Sequence, residues 1–333
     1  MSRANMTRNV KRIAQGGFSL IELMVSLVLG MLVVGAAIGI FASNKQTYRA
    51  TQGLGRIQEN GQIAFELLSR DIREAGSNPC DVALPAGNII SGAGAATPDG
   101  ANWYMALAYP LYGFESGASG APAHVAGTDV IQVLRAGDDV RGLTADLVSG
   151  GNTATFAPGT PQFKSGDVVM ICDMRVLGVF KANNDSTGTT TGTINFGNGF
   201  NDCNYFPQPN AGACAGASTA YLFPKFSSIT ALHGIRWFVR DSDGDATNGY
   251  SLYRQVNGGN AEEVIQGVTD LQLKYLTDTG YLDSSALATA DAWKSVRAVR
   301  LTLTLRDTEV KGTDGQPLSR VIENVITLRN RVL

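Results

Sequence analysis

Acidic residues are missing from the first 21 positions of this chain, and charge of either sign is missing from Leu23 to Ala42. Histidine is scarce: His124 and His233 are the only two. The four cysteines show no C-x-x-C spacing and no nearby histidine pair, so a four-ligand zinc site has no donor set. G-x-S-x-G, H-E-x-x-H and the phosphate-binding G-x-x-x-x-G-K-[ST] are absent, and none of the G-x-G triplets continues to the third glycine of a dinucleotide loop. These absences point away from catalysis and from a cofactor. The 27 basic residues nearly balance the 29 acidic ones, and beyond the first dozen positions they are scattered. A nucleic-acid partner would leave a basic footprint, and none is present.

What is present is a 333-residue chain, 44% hydrophobic, enough to fold around a core. Cys80, Cys172, Cys203 and Cys214 are an even set that fits disulfides, which form in an oxidising compartment. Cys203 and Cys214 enclose "NYFPQPNAGA", a short loop with little core of its own, so they are the first candidate pair. Cys80 with Cys172 follows by elimination, although four cysteines allow three connectivities.

The 20 uncharged residues from Leu23 to Ala42 would make a helix of about 30 Å, the thickness of a bilayer's hydrocarbon. Arg3, Arg8, Lys11 and Arg12 precede them, which keeps the leader cytosolic and sends the rest outward. A cleaved secretory signal or a plain anchor has the same outline, but "VGAAIGIFAS" is a mediocre signal cleavage site. More specific is "GGFSLIELMV", where a glycine pair stands before the apolar run and Glu22 lies four residues after Phe18. This resembles the class III leader of type IV pilins and pseudopilins. The resemblance implies cleavage by prepilin peptidase between Gly17 and Phe18, and N-methylation of Phe18 as the new first residue.

The motif has a physical logic of its own. Glycine at the scissile position removes side-chain clashes and disfavours helix. The freed amine of Phe18 would carry a proton at neutral pH, and Glu22, one helical turn on, would lie about 6 Å away on the same face. A lone carboxylate among apolar helices is relieved by pairing, so Glu22 is a candidate assembly contact with a neighbouring subunit's terminus. The plainer reading is an acid snorkelling to the headgroups.

After the anchor, Leu54, Ile57, Ala64, Leu68, Ile72 and Ala75 recur at helical spacing on one face, and Gly76 and Pro79 supply a stop. One helix from about Phe18 to Ala75 is expected, weakened in its middle by Gly53, Gly55 and Gly61, where a bend is plausible. "KQTYRATQGLGRIQENGQIAFELLSRDIREAG", with "VRAVRLTLTLR" and "VIENVITLRNRVL" near the end, is similar to PilW-type minor pilins. The resemblance covers roughly the first 80 and last 40 residues.

Residues 77–333 read as β-rich, with Val299, Leu301, Leu303 and Leu305 alternating against Arg300, Thr302, Thr304 and Arg306. Asp241, Asp243 and Asp245 around Gly244 form a weak candidate metal loop. Position 252 is Leu252 where a calcium loop wants Glu, so a polar hairpin loop is the simpler reading. His233, Trp237 and Trp293 read as structural.

The expected class is α+β with a pilin-like lollipop plan. It comprises a cleaved leader (1–17), a membrane and assembly helix (18–42), its amphipathic extension (43–76) and an exported, antiparallel β-rich domain (77–333). The resemblance implies an inner-membrane precursor with a periplasmic domain, and a pilus location after assembly. It implies as partners prepilin peptidase, other minor pilins, the major pilin and the inner-membrane assembly platform. A minor pseudopilin of a type II secretion system and a membrane-tethered binding module or adhesin are the alternatives.

Overall fold

A computed structural model describes residues 17, 19–80, 84–92, 96–148, 151–157, 163–186, 192–208, 214, 220–241, 249–312 and 315–331. One helix, α1 (Leu20–Arg73), holds 54 residues. The strands that follow are β1 (Ala86–Asn88), β2 (Leu111–Phe114), β3 (Val130–Ala136), β4 (Arg141–Gly142), β5 (Thr153–Phe156) and β6 (Val168–Cys172). Next come β7 (Leu177–Lys181), β8 (Gly192–Asn195), β9 (Phe206–Pro207), β10 (Ala220–Tyr221), β11 (Ser228–Asp241) and β12 (Tyr250–Val256). The last are β13 (Ala261–Gln266), β14 (Val268–Thr277), β15 (Gly280–Leu282), the short helix α2 (Ala290–Lys294), β16 (Ala298–Lys311) and β17 (Pro317–Thr327).

The chain divides into two units, residues 1–52 and 53–333. In the first, the described part from Leu20 on is helix. The second holds the remaining turns of α1 and all the strands.

In the second unit, α1 lies against the four-stranded antiparallel sheet β15-β14-β16-β17. The period-two pattern of β16 does what a one-sided sheet requires. Val299, Leu301, Leu303 and Leu305 are buried, and Leu301 and Leu303 stand opposite Leu273 and Leu271 of β14. The helix contributes Ile57, Ala64, Leu68, Ile72 and Ala75 to the same core. Leu54, expected on this face, is 41% exposed, and Gly53 and Gly61 are buried in its stead. The glycines do not interrupt the helix. At Gly61 a Cβ would stand 2.2 Å from Ile322 Cδ1, so the missing side chain lets the helix approach β17 closely, and this packing outweighs the helix-propensity cost.

A second, nine-stranded sheet is organised by β11, fourteen residues long. Its residues 235–237 pair with β12 on one edge and β3 on the other, while Ser228–Ala231 pair with β6. A separate phenylalanine-rich core, with Phe156, Phe163, Phe180, Phe196, Phe206 and Phe223, fills the lobe around β5–β10. Trp237 and Trp293 are fully buried, as structural tryptophans should be. His233 is partly buried in β11, and desolvation, with Arg135 and Arg254 nearby, pushes its pKa below the usual value.

Candidate processing and assembly segment

Helix α1 starts where its sequence supplies a cap. Ser19 Oγ accepts the Glu22 backbone N–H at 3.2 Å, and the Ser19 carbonyl accepts the Leu23 N–H at 3.2 Å, so Ser19 holds the N-cap position. Glu22 falls in the first turn, where the helix dipole favours an anion. Ser26 Oγ donates back to the Glu22 carbonyl, which satisfies the single hydroxyl of this apolar stretch within the helix itself. Gly17 is exposed, with nothing within 4 Å of where a Cβ would be. Phe18 and residues 1–16 lie outside the described residues.

From Leu20, 79% exposed, to Phe41, 70% exposed, the large apolar side chains have no cover among the described residues. The most apolar stretch of α1 is long enough to cross a membrane and is not buried anywhere along it. A soluble monomer would expose a patch far larger than ordinary surfaces tolerate. Such a helix needs a lipid or a helical neighbour, and Glu22 is its one acid before Glu59.

At its other end α1 is fixed by a buried ionic cluster that spacing in the sequence does not reveal. Asp71 Oδ1 accepts from Arg135 Nε at 3.0 Å, and Asp71 Oδ2 accepts from Trp237 Nε1 at 2.9 Å and lies 3.4 Å from Arg254 Nε. The Arg135 guanidinium also reaches Glu74 at 3.0 Å and Asp138 at 3.1 Å. The Arg70 and Arg135 cations hold Asp138 below the usual carboxylate range against the opposing desolvation. Only the three-residue spacing of Asp71, in the last turn of the helix, and Glu74, just past its end, is visible in the sequence; their shared partner Arg135 is 61 or more residues away.

The chain past the helix is covalently tied. Cys80 is bonded to Cys172 at the end of β6, and Cys203 to Cys214. There are no free cysteines among the described residues. Asp241 ends β11 opposite Tyr250 of β12; Asp243 and Asp245 lie outside the described residues. Among the described residues no group of three potential ligands is placed to hold a metal.

A family model described as "Prokaryotic N-terminal methylation motif" matches residues 12–38, the stretch that contains Gly17, Phe18, Glu22 and most of the apolar run. Comparison with curated proteins and with solved structures returns no match. The chain therefore carries a class III prepilin leader, continuous with one long apolar helix and followed by a β-rich domain, and this leader suggests a pilin or pseudopilin substrate of prepilin peptidase.

Proposed function

We propose that the protein is a minor pilin of the type IV pilus, of the PilW type, with a structural and not an enzymatic role. Prepilin peptidase cuts after Gly17, and Phe18 becomes the methylated first residue. The apolar part of α1 holds the product in the inner membrane with residues 77–333 in the periplasm. Assembly then bundles this helix with those of other minor pilins and the major pilin, on the inner-membrane platform. The observation that supports the reading is the pairing of a methylation motif with an apolar helical stretch, uncovered among the described residues, whose first turn carries a single acid. Water and lipid headgroups are both excluded from a helix bundle, so there the Glu22 carboxylate gains most from the ammonium of a neighbour's first residue.

The test is Glu22→Leu, expressed in place of the native chain. The expected result is a precursor made and cleaved at the native level, with at least a tenfold drop of this protein in sheared filaments. Undiminished incorporation would contradict the proposed contact. A type II pseudopilin has the same leader, and a deletion strain that keeps its pili but loses protein secretion would favour that assignment.

A further inference from the structure

The C-terminal end of α1 borders two cavities. The larger, of about 550 Å³, is lined by the aliphatic side chains of Leu84, Leu107, Leu134, Met170, Leu177 and Leu232. Leu134, Met170 and Leu232 are its buried floor, each 2% exposed, while Leu84, Leu107 and Leu177 are half-buried around it. No aromatic and no acidic side chain is among its described lining residues. The smaller, of about 310 Å³, is polar, and Glu74, Asp138 and Arg329 line it. Ser77, Asn78 and Asn330 line both, so the two cavities meet at these three residues.

The walls are held by the fold. The Gly76 N–H donates to the Leu134 carbonyl at 2.7 Å, the Leu134 N–H to the Pro110 carbonyl at 2.8 Å and the Leu177 N–H to the Pro85 carbonyl at 3.1 Å. The Cys80–Cys172 disulfide ties the chain just past α1 to β6, which carries Met170. The hollow is preformed, and its volume falls in the range of small-ligand sites, about 300–1,000 Å³. Charge at the junction is one-sided. Both acids there are engaged, Glu74 by Arg135 and Asp138 by Arg70 and Arg135. The cations are freer. Arg329 is exposed and has no acidic partner among the described residues. Lys294, which lines the larger cavity, meets Asp291, itself 91% exposed, in a surface pair that contributes little. Ser77 Oγ and Asn78 Oδ1 already accept the Ala136 and Cys80 N–H groups. The Asn330 side-chain nitrogen, by contrast, is buried without an acceptor, a cost that an added acceptor relieves.

We propose that the two cavities form one binding site for an aliphatic monocarboxylate, its hydrocarbon chain in the larger cavity and its carboxylate at the junction beside Arg329, Lys294 and Asn330. A lining of aliphatic side chains with no ring to stack on suits an alkyl chain better than an aromatic ligand. A single negative charge suits the junction, because Glu74 and Asp138, although paired, repel a more highly charged head such as a phosphate dianion. The site lies wholly within the unit of residues 53–333, and the inference does not rest on the filament role.

The test is equilibrium dialysis of radiolabelled octanoate against the full chain in phosphatidylcholine nanodiscs, with empty nanodiscs subtracted for partition into lipid. The expected result is saturable binding of one octanoate per chain, with octanol and acetate at least tenfold weaker. Arg329→Gln and Lys294→Gln change exposed side chains, and together they are expected to weaken octanoate at least tenfold. Ala86→Phe, at an exposed position that lines the larger cavity, is expected to weaken it as much by filling the space. The proposal is overturned if octanoate shows no saturable excess over empty nanodiscs, or if octanol or acetate binds as tightly. It is also overturned if either the paired variant or Ala86→Phe binds octanoate like the native chain.

Discussion

Replacing Asp71 by alanine should be among the most damaging changes outside the apolar core. The carboxylate side chain is 4% exposed and takes hydrogen bonds from two buried donors, Arg135 Nε and Trp237 Nε1. Removing it leaves the indole N–H without an acceptor, at about 1–3 kcal/mol. Arg135 is not abandoned, since Glu74, Asp138 and the Ala136 carbonyl remain within 3.1 Å. The loss should thus lie near the lower end of the 3–5 kcal/mol typical of a broken buried pair, about 3–4 kcal/mol. Asp71→Asn keeps one oxygen as acceptor and should cost less, about 1–2 kcal/mol. The assay is urea unfolding of the full chain in detergent, followed by tryptophan fluorescence, in which a lower midpoint at unchanged slope reports stability alone. A cost below about 1 kcal/mol for Asp71→Ala would refute the view that this cluster fixes the end of α1 to the sheet.

Glycines on α1 should respond in opposite directions. Gly55 has nothing within 4 Å of a Cβ, so Gly55→Ala should stabilise by about 0.5–1 kcal/mol, whereas Gly61→Leu drives a side chain into Ile322 and Leu305 and should destabilise by about 1–3 kcal/mol. Both are read from the same urea midpoints, and equal shifts would contradict the packing role of Gly61. Asp129 has its pKa pushed up to about 6, first by burial and then by Glu115, Asp270 and Asp283, against the Leu273 N–H that it accepts at 2.8 Å. Its folded form binds a proton more tightly than the unfolded chain, so it subtracts stability as pH rises from about 4 to about 6. Melting temperatures across that window should fall less steeply for Asp129→Asn than for the native chain; parallel curves would rule this out.

The N-terminal segment is readable because its chemistry is local: a basic leader, a glycine pair, a charge-free run and one acid within a few turns. The alternation along Val299–Leu305 was readable for the same reason, since a strand with one buried face repeats every two residues. The helical face follows the sequence periodicity at Ile57, Ala64, Leu68, Ile72 and Ala75. Leu54 departs from the pattern because hydrophobicity alone does not decide burial here: the close approach of β16 at Gly53 and of β16 and β17 at Gly61 favours the absence of a side chain at those two positions. The Asp71 cluster was out of reach, because Arg135, Trp237 and Arg254 come from three strands and meet the helix only after folding.

The leader is the claim on which the functional account rests, and intact mass with amino-terminal sequencing tests it most directly. In cells with prepilin peptidase the protein should begin at Phe18 and carry an N-methyl group, and in cells lacking the enzyme it should keep residues 1–17. A mature chain that begins anywhere else, or one whose length does not depend on the peptidase, would contradict the account.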